Sequence, residues 1–361
     1  MAPPNWQIVG AVVTILVTII ALALNWVLTE VFPWRMLRKQ KNANLAPPTK
    51  SFKGKTILIT GANGAFGSRA AKMIADLGVE RLILADVRDC AGVKEQIEAE
   101  TTATHKPDIQ VWHVDMMSYP SCQEFAKKAR ALKSLDGVLL VAGILSFKRQ
   151  ESPEGWETSI QVNYLSSALL GLLLLPALKS SPSNPEAPVL TFVTTFGLYP
   201  ASPFMGAPKN GSYLKHLSNN KELMQPNQYG ISKGLLLYFT RELAARISKA
   251  KGIPVTVNSA DPGAAWTPLT NPNRSMLVPR LIMAMSARDA SSGAKVMVNA
   301  VCSSEESHGG ILLDYDLWPY PPFMERQSGR KLQQRIWDET RDVLEAGAPD
   351  ISNVYAILDG K

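Results

Sequence analysis

Two hydrophobic patterns divide the chain. Residues 8–29 carry no charge and are mostly Val, Ile, Leu and Ala, an apolar run without a polar face. At about 1.5 Å of rise per residue, a helix of that length crosses a hydrocarbon core of about 30 Å. Trp6 and Trp26 stand near its ends, where amphipathic rings favour a membrane interface. A cleaved signal peptide is the competing reading, because Ala21-Leu22-Ala23 resembles a cleavage site. Yet residues 1–7 hold no Lys or Arg, and the run exceeds the usual apolar core of about 7–15 residues. The expectation is a transmembrane anchor that meets the lipid bilayer through residues 8–29.

Beyond the anchor, short apolar runs alternate with amphipathic ones. Residues 55–60, 81–85, 109–114, 135–141, 189–193, 254–258 and 310–314 read as strands. Helical stretches lie between them at 68–78, 123–132, 156–178 and 233–249. This alternation predicts an α/β protein: a Rossmann-type, doubly wound parallel sheet with helices on both faces, preceded by one N-terminal transmembrane helix. The boundaries fall at 1–29 for the anchor, 30–54 for a basic linker broken by Pro47-Pro48, and 55–320 for the α/β domain. Residues 321–361 form a charged helical extension whose Leu332, Ile336, Val343 and Leu344 make an apolar stripe. Residues 199–226, rich in Pro, Asn and Lys, read as a surface loop.

The formal charge of +7 is concentrated at residues 35–55, which hold seven Lys or Arg and no acid. Elsewhere acids and bases balance, so the excess is local and nucleic acid is not an expected partner. A basic segment after a membrane span places the following domain in the cytosol, with the endoplasmic reticulum as the expected membrane. Cys90, Cys122 and Cys302 are scattered, as are the four histidines. They give neither a disulfide framework nor metal-ligand spacing, and no metal site is expected.

The candidate chemistry begins at the first strand of the domain. It runs through Thr60 into Gly61-Ala62-Asn63-Gly64-Ala65-Phe66-Gly67 and then a helix. Strand, glycine turn and helix N-terminus form a phosphate-binding entry, because glycine admits close backbone approach and free N–H groups face the anion. Asp86 ends the next strand, where a carboxylate accepts hydrogen bonds from ribose hydroxyls. Farther on, Tyr229 and Lys233 lie four residues apart, on one face of a helix. An ammonium beside a phenol lowers the phenol's pKa toward the range useful for acid–base catalysis.

With these motifs in order, residues 55–318 resemble the short-chain dehydrogenase/reductase family, in particular its membrane-anchored, retinol-dehydrogenase-like branch. The resemblance makes Tyr229 the general acid/base, with Lys233 and Asn163 maintaining the proton supply. The carbonyl-positioning hydroxyl falls on Thr195 or its neighbour Thr194. The resemblance also implies a nicotinamide dinucleotide held by Thr60, Gly61, Asn63, Gly64, Phe66, Gly67, Asp86, Asp115, Met116, Ala142, Gly143, Pro262, Gly263 and Thr267, together with Asn163, Tyr229 and Lys233. NAD is favoured over NADP because Asp86 would repel a 2′-phosphate, although Arg69 and Arg88 stand near enough in sequence to offset it.

The sequence departs from the family pattern at three points. Ala65 replaces the middle glycine, Leu140-Val141 replaces two amides that brace the central sheet, and threonine stands for serine at 195. Residues 264–286, with Trp266, Met276, Leu277, Leu281, Ile282, Met283 and Met285, read equally as a core helix or as an apolar lid over a lipophilic substrate. The function expected is hydride transfer between nicotinamide and a lipophilic carbonyl or alcohol, in a protein for which the resemblance implies a homodimer. The alternatives are a non-catalytic, nucleotide-binding membrane scaffold and, more remotely, sugar-nucleotide epimerase or dehydratase chemistry.

Overall fold

The structure is a computed structural model that describes residues 6–26, 34–146, 148–180, 186–201, 205, 206, 208, 210–222, 225–250, 252–275 and 277–360. Eight strands form one sheet: β1 Thr56–Thr60, β2 Arg81–Asp86, β3 Asp108–His113, β4 Gly137–Leu140, β5 Val189–Val193, β6 Thr256–Asp261, β7 Ile311–Leu313 and β8 Asp316–Trp318. Their order is β3-β2-β1-β4-β5-β6-β7-β8. The first seven are parallel, and β8 alone runs antiparallel. The order reverses between β1 and β4, which is where a doubly wound sheet opens a crevice at its strand ends.

Side-chain alternation along the strands divides the core into two layers. Leu58, Ile83, Val138, Leu190, Val257 and Leu313 face one side. Ile57, Ile59, Leu82, Leu84, Leu139 and Leu312 face the other. Ala65–Asp76 and Ala290–Val301 pack together on the second face. On the first lie Tyr119–Arg130, the run 160–174, Gln225–Lys249 and Gln327–Gly347. The segment Ile160–Ala177 is long and apolar enough to span a bilayer, but it is 94% buried within the protein and is core.

Several expected boundaries move. The helix at 68–78 begins at Ala65, because Gly64 already occupies the N-cap. The sixth strand shifts toward its C-terminal end and finishes at Asp261. The helix expected from 233 begins at Gln225, so Tyr229 lies inside it rather than at its opening. Residues 199–226 are more than a surface loop: Tyr213–Asn219 is helical, and Tyr213, Leu214 and Leu217 are buried. The final hairpin was not expected from the sequence. Asp314 and Tyr315 both take positive φ there, the pattern of a two-residue hairpin turn without its usual glycine.

Trp6–Trp26 is a 21-residue helix, and its side chains described between Val12 and Ala23 are all exposed. Within the segment that follows, Trp34–Asn42 is also helical. It buries Met36, Leu37 and Gln40 against the domain and leaves Arg38, Lys39 and Lys41 exposed.

Near the C-terminus, Trp337 is 1% exposed, stacks on Phe239 at 5.3 Å and meets Tyr355 edge-on. Replacing a buried aromatic of this kind with alanine costs about 3–5 kcal/mol. Trp337→Ala is therefore expected to lower the denaturant midpoint by a corresponding amount. An unchanged midpoint would show that the C-terminal helix is not part of the core.

Candidate functional site

The glycine turn is built on a close approach of backbones. Gly61 has φ of +68°, and a Cβ there would lie 2.8 Å from Ala142 Cα, at the end of β4. At Gly67 a Cβ would fall 2.2 Å from the carbonyl oxygen of Gly61. Gly64 is less confined, with a single contact at 3.1 Å. The turn opens onto a cleft of about 360 Å³ lined by Gly61, Asn63, Gly64, Phe66, Gly67, Asp86, Asp115, Met116, Ala142, Gly143 and Thr267, with Val87, Arg88, Val141 and Leu269 among the others. Asp86 is buried at the rim and accepts from the backbone N–H of Asn63 (3.1 Å) and of Arg88 (3.1 Å). The Arg88 guanidinium stands 3.4 Å from it, while Arg69 turns away to Ala65 O. Thr60 braces the turn, its Oγ1 accepting from the Ala142 N–H at 3.3 Å. A helix N-terminus, tight glycines and a rim carboxylate fit a dinucleotide.

The second half of the site lies at the ends of β5 and β6. Asn163 sits in a π-helical turn, Ile160–Leu165, a distortion frequent at functional sites. Its amide accepts from the Ile144 N–H (2.7 Å) and donates to Ile144 O (2.9 Å) and Ser232 Oγ (3.0 Å). It thus ties the chain after β4 to the helix Gln225–Lys249. Asn163 Oδ1 and Lys233 Nζ both flank Gly143, at 3.1 and 3.5 Å from where its Cβ would lie. Thr195 Oγ1 and Tyr229 Cε1 flank Gly197 in the same way, at 3.6 and 3.9 Å. Gly230 admits this packing, because its Cβ would strike Gly197 O at 2.5 Å. Thr194, the other hydroxyl candidate, is buried, and its Oγ1 has no partner among the described residues.

The electrostatics differ from expectation. Lys233 donates to Val193 O at 2.8 Å, and burial lowers its pKa to about 8. The Tyr229 phenol is pushed up rather than down, first by desolvation and then by the charge of Asp261. The ammonium is engaged by the end of β5, and the charge of a carboxylate not expected from the sequence, Asp261, acts on both groups. Asp261 ends β6, is 1% exposed, and desolvation raises its pKa to about 6. One oxygen accepts from the Gly263 N–H (2.7 Å) and from Gln40 Nε2 (3.4 Å), while the other has no partner among the described residues. Gly263 needs its glycine, with φ of +77° and the Arg288 side chain 2.8 Å from a Cβ. Arg288 donates to Pro262 O and Gln40 O and pairs with buried Asp314.

The expected residues therefore fall into three groups. The glycine turn, Asp86, Asp115, Met116, Ala142, Gly143 and Thr267 line the cleft. Asn163 and Lys233 flank Gly143 on its wall, and Thr195 and Tyr229 flank Gly197. Thr60, Pro262 and Gly263 support the surrounding backbone. Asp261 was hidden in a Pro-Gly turn, and Gln40 lay in a segment read as linker. Among the described residues, no three His, Cys, Asp or Glu side chains cluster as metal ligands.

Known proteins share this architecture. The short chain dehydrogenase family profile matches residues 55–205. The short-chain dehydrogenase/reductase ffsI of Aspergillus flavipes is 33% identical over 86% of this chain and 92% of its own length. The short chain dehydrogenase/reductase mfmJ of Annulohypoxylon moriforme is 34% identical over 91% of this chain and 94% of its own. In fold, the chain is similar to Pseudomonas aeruginosa RhlG, solved as an NADP active-site complex. The TM-score is 0.53 at 19% identity, covering 73% of this chain and 96% of that one.

Two outcomes are expected of this geometry. Gly67→Ala forces the turn open and should weaken NADH binding, read by fluorescence, about tenfold or more, equivalent to at least ~1.4 kcal/mol. Asp261→Asn removes the charge that supports protonated Lys233, so that ammonium titrates at lower pH. The alkaline limb of kcat/KM then moves to lower pH, and a limb that stays in place would mean that Asp261 does not act on the site.

Proposed function

This chain belongs to the short-chain dehydrogenase/reductase family of oxidoreductases, and we propose that it is a membrane-tethered enzyme acting on a lipophilic carbonyl or alcohol. The observation that carries the reading is the position of Gly143. It lines the cleft that opens at Gly61–Gly67, and Asn163 Oδ1 and Lys233 Nζ stand against it at 3.1 and 3.5 Å from where its Cβ would lie. When bound, a nicotinamide supplies or accepts the hydride at its C4.

The chain's own residues handle the oxygen of the substrate. Thr195 donates a hydrogen bond to it and fixes the orientation of the carbonyl. In reduction, Tyr229 gives that oxygen its phenolic proton as the carbon receives the hydride, and in oxidation it takes the proton back. Lys233, with a pKa lowered to about 8, exchanges a proton near neutrality and restores the phenol. Asn163 holds Ile144 and Ser232 in register, so the cleft wall and the catalytic helix keep their spacing. NAD is the favoured cofactor, since Asp86 at the rim disfavours a 2′-phosphate. Its pairing with Arg88 softens that preference.

The helix Trp6–Trp26 is the anchor in this reading. Its uncovered apolar side chains suit lipid, and the basic residues after it suit the cytosolic face of the endoplasmic reticulum membrane. A lipophilic substrate is consistent with an enzyme held at its source.

Tyr229→Phe should preserve NADH binding while lowering kcat by about 10²–10⁴-fold on a panel of lipophilic ketones and aldehydes. Undiminished turnover would remove Tyr229 from the mechanism. Tight cofactor binding by the unmodified protein, with no turnover on any member, would favour the scaffold.

A further inference from the structure

The helix Leu277–Ser286 has an inverted surface. Met283 and Ser286 are buried, while Leu277, Leu281 and Met285 are exposed at 65%, 51% and 47%. Their spacing of four places them in one row along the helix. Arg280 is exposed beside them. The helix packs against Trp34–Asn42, and Lys41 Nζ donates to the carbonyl of Ala284, the residue before Met285, at 2.7 Å. The basic outer face of one helix and the apolar outer face of the other are therefore a single surface. That surface is tied to the anchor by a short tether. From Trp26 to Trp34 the chain spans at most about 28 Å, even fully extended.

Resting on the reading of Trp6–Trp26 as a membrane anchor, we propose that this surface docks on the bilayer. Leu277, Leu281 and Met285 enter the boundary between headgroups and acyl chains, while Arg38, Lys41 and Arg280 meet anionic headgroups. The segment leading to this helix, Thr267 to Leu269, lines the cleft, so the docked helix follows directly in the chain from one wall of the site. A substrate dissolved in the membrane enters there without crossing water. Lipid is favoured over a protein partner because the apolar row is continuous with the basic face that follows the anchor.

The test uses the full-length protein in phosphatidylcholine–phosphatidylserine vesicles. Leu281→Cys and, separately, Met285→Cys carry an environment-sensitive fluorophore, with exposed Glu98→Cys as the control, since the three native cysteines are buried. Docking predicts blue-shifted emission at 281 and 285 that nitroxide-labelled lipid quenches, and neither effect at 98. Carbonate extraction of the same vesicles reports separately on the anchor. Protein that resists extraction while the labels at 281 and 285 remain as wet as that at 98 would overturn the docking and leave the anchor standing. Protein released by carbonate would overturn both.

Discussion

The carbonyl oxygen of Gly61 occupies the space that a side chain at position 67 would need, and the cleft depends on that contact. Only a glycine pair lets β1 end, turn at positive φ beneath Ala142, and pass at once into a helix whose N–H groups face outward. The sheet reverses its order at the same place, so β1 and β4 part and leave the crevice open. Gly64, which the motif also supplies, is the least confined of the three. This explains how a turn with alanine at 65 retains its shape: the backbone approach is set at 61 and 67.

Around Lys233 and Asp261 the governing constraint is charge rather than space. Lys233 and Asp261 are both buried, and burial opposes the ionised form of each. The ammonium is drawn down to about 8 and the carboxyl up to about 6. Between those values both are charged and support one another. Acidification through about pH 6 neutralises Asp261 and removes its desolvation cost, so this group taken alone stabilises the fold more in mild acid than at neutrality. The carboxylate is held by Gly263 and by Gln40, whose helix Arg288 fastens to the β7–β8 hairpin through Asp314. The basic helix Trp34–Asn42 therefore reaches Asp261 through Gln40.

Much of this was legible in the sequence because it follows from local pattern. Apolar runs of strand length, glycines at 61, 64 and 67 and a carboxylate at 86 define the cradle without any long-range knowledge. The Tyr229–Lys233 pair was visible from helical spacing, but its electrostatics were not. The Tyr229 shift is set first by burial and then by Asp261, which belongs to another element of the fold, and Val193 O likewise reaches Lys233 from a strand. Gln40 was invisible for the same reason, since a basic, polar stretch gives no sign of the one amide that turns inward. Asn258 on β6, two strands from Leu140 in the same sheet, carries a buried amide that accepts from Thr191 and donates to Ala300 O and Ser307 Oγ. The two-residue turn at Asp314-Tyr315 lacks the glycine that marks such turns, so β8 left no signal.

The central claim is that this cleft brings a nicotinamide and a carbonyl together for direct hydride transfer. The most direct measurement uses NADH deuterated at C4 on one face and, separately, on the other, with a lipophilic ketone or aldehyde that the protein reduces, followed by mass spectrometry of the alcohol. Direct transfer predicts one deuterium on the carbinol carbon with one of the two cofactors and none with the other. An alcohol unlabelled with both, or labelled equally with both, would contradict it.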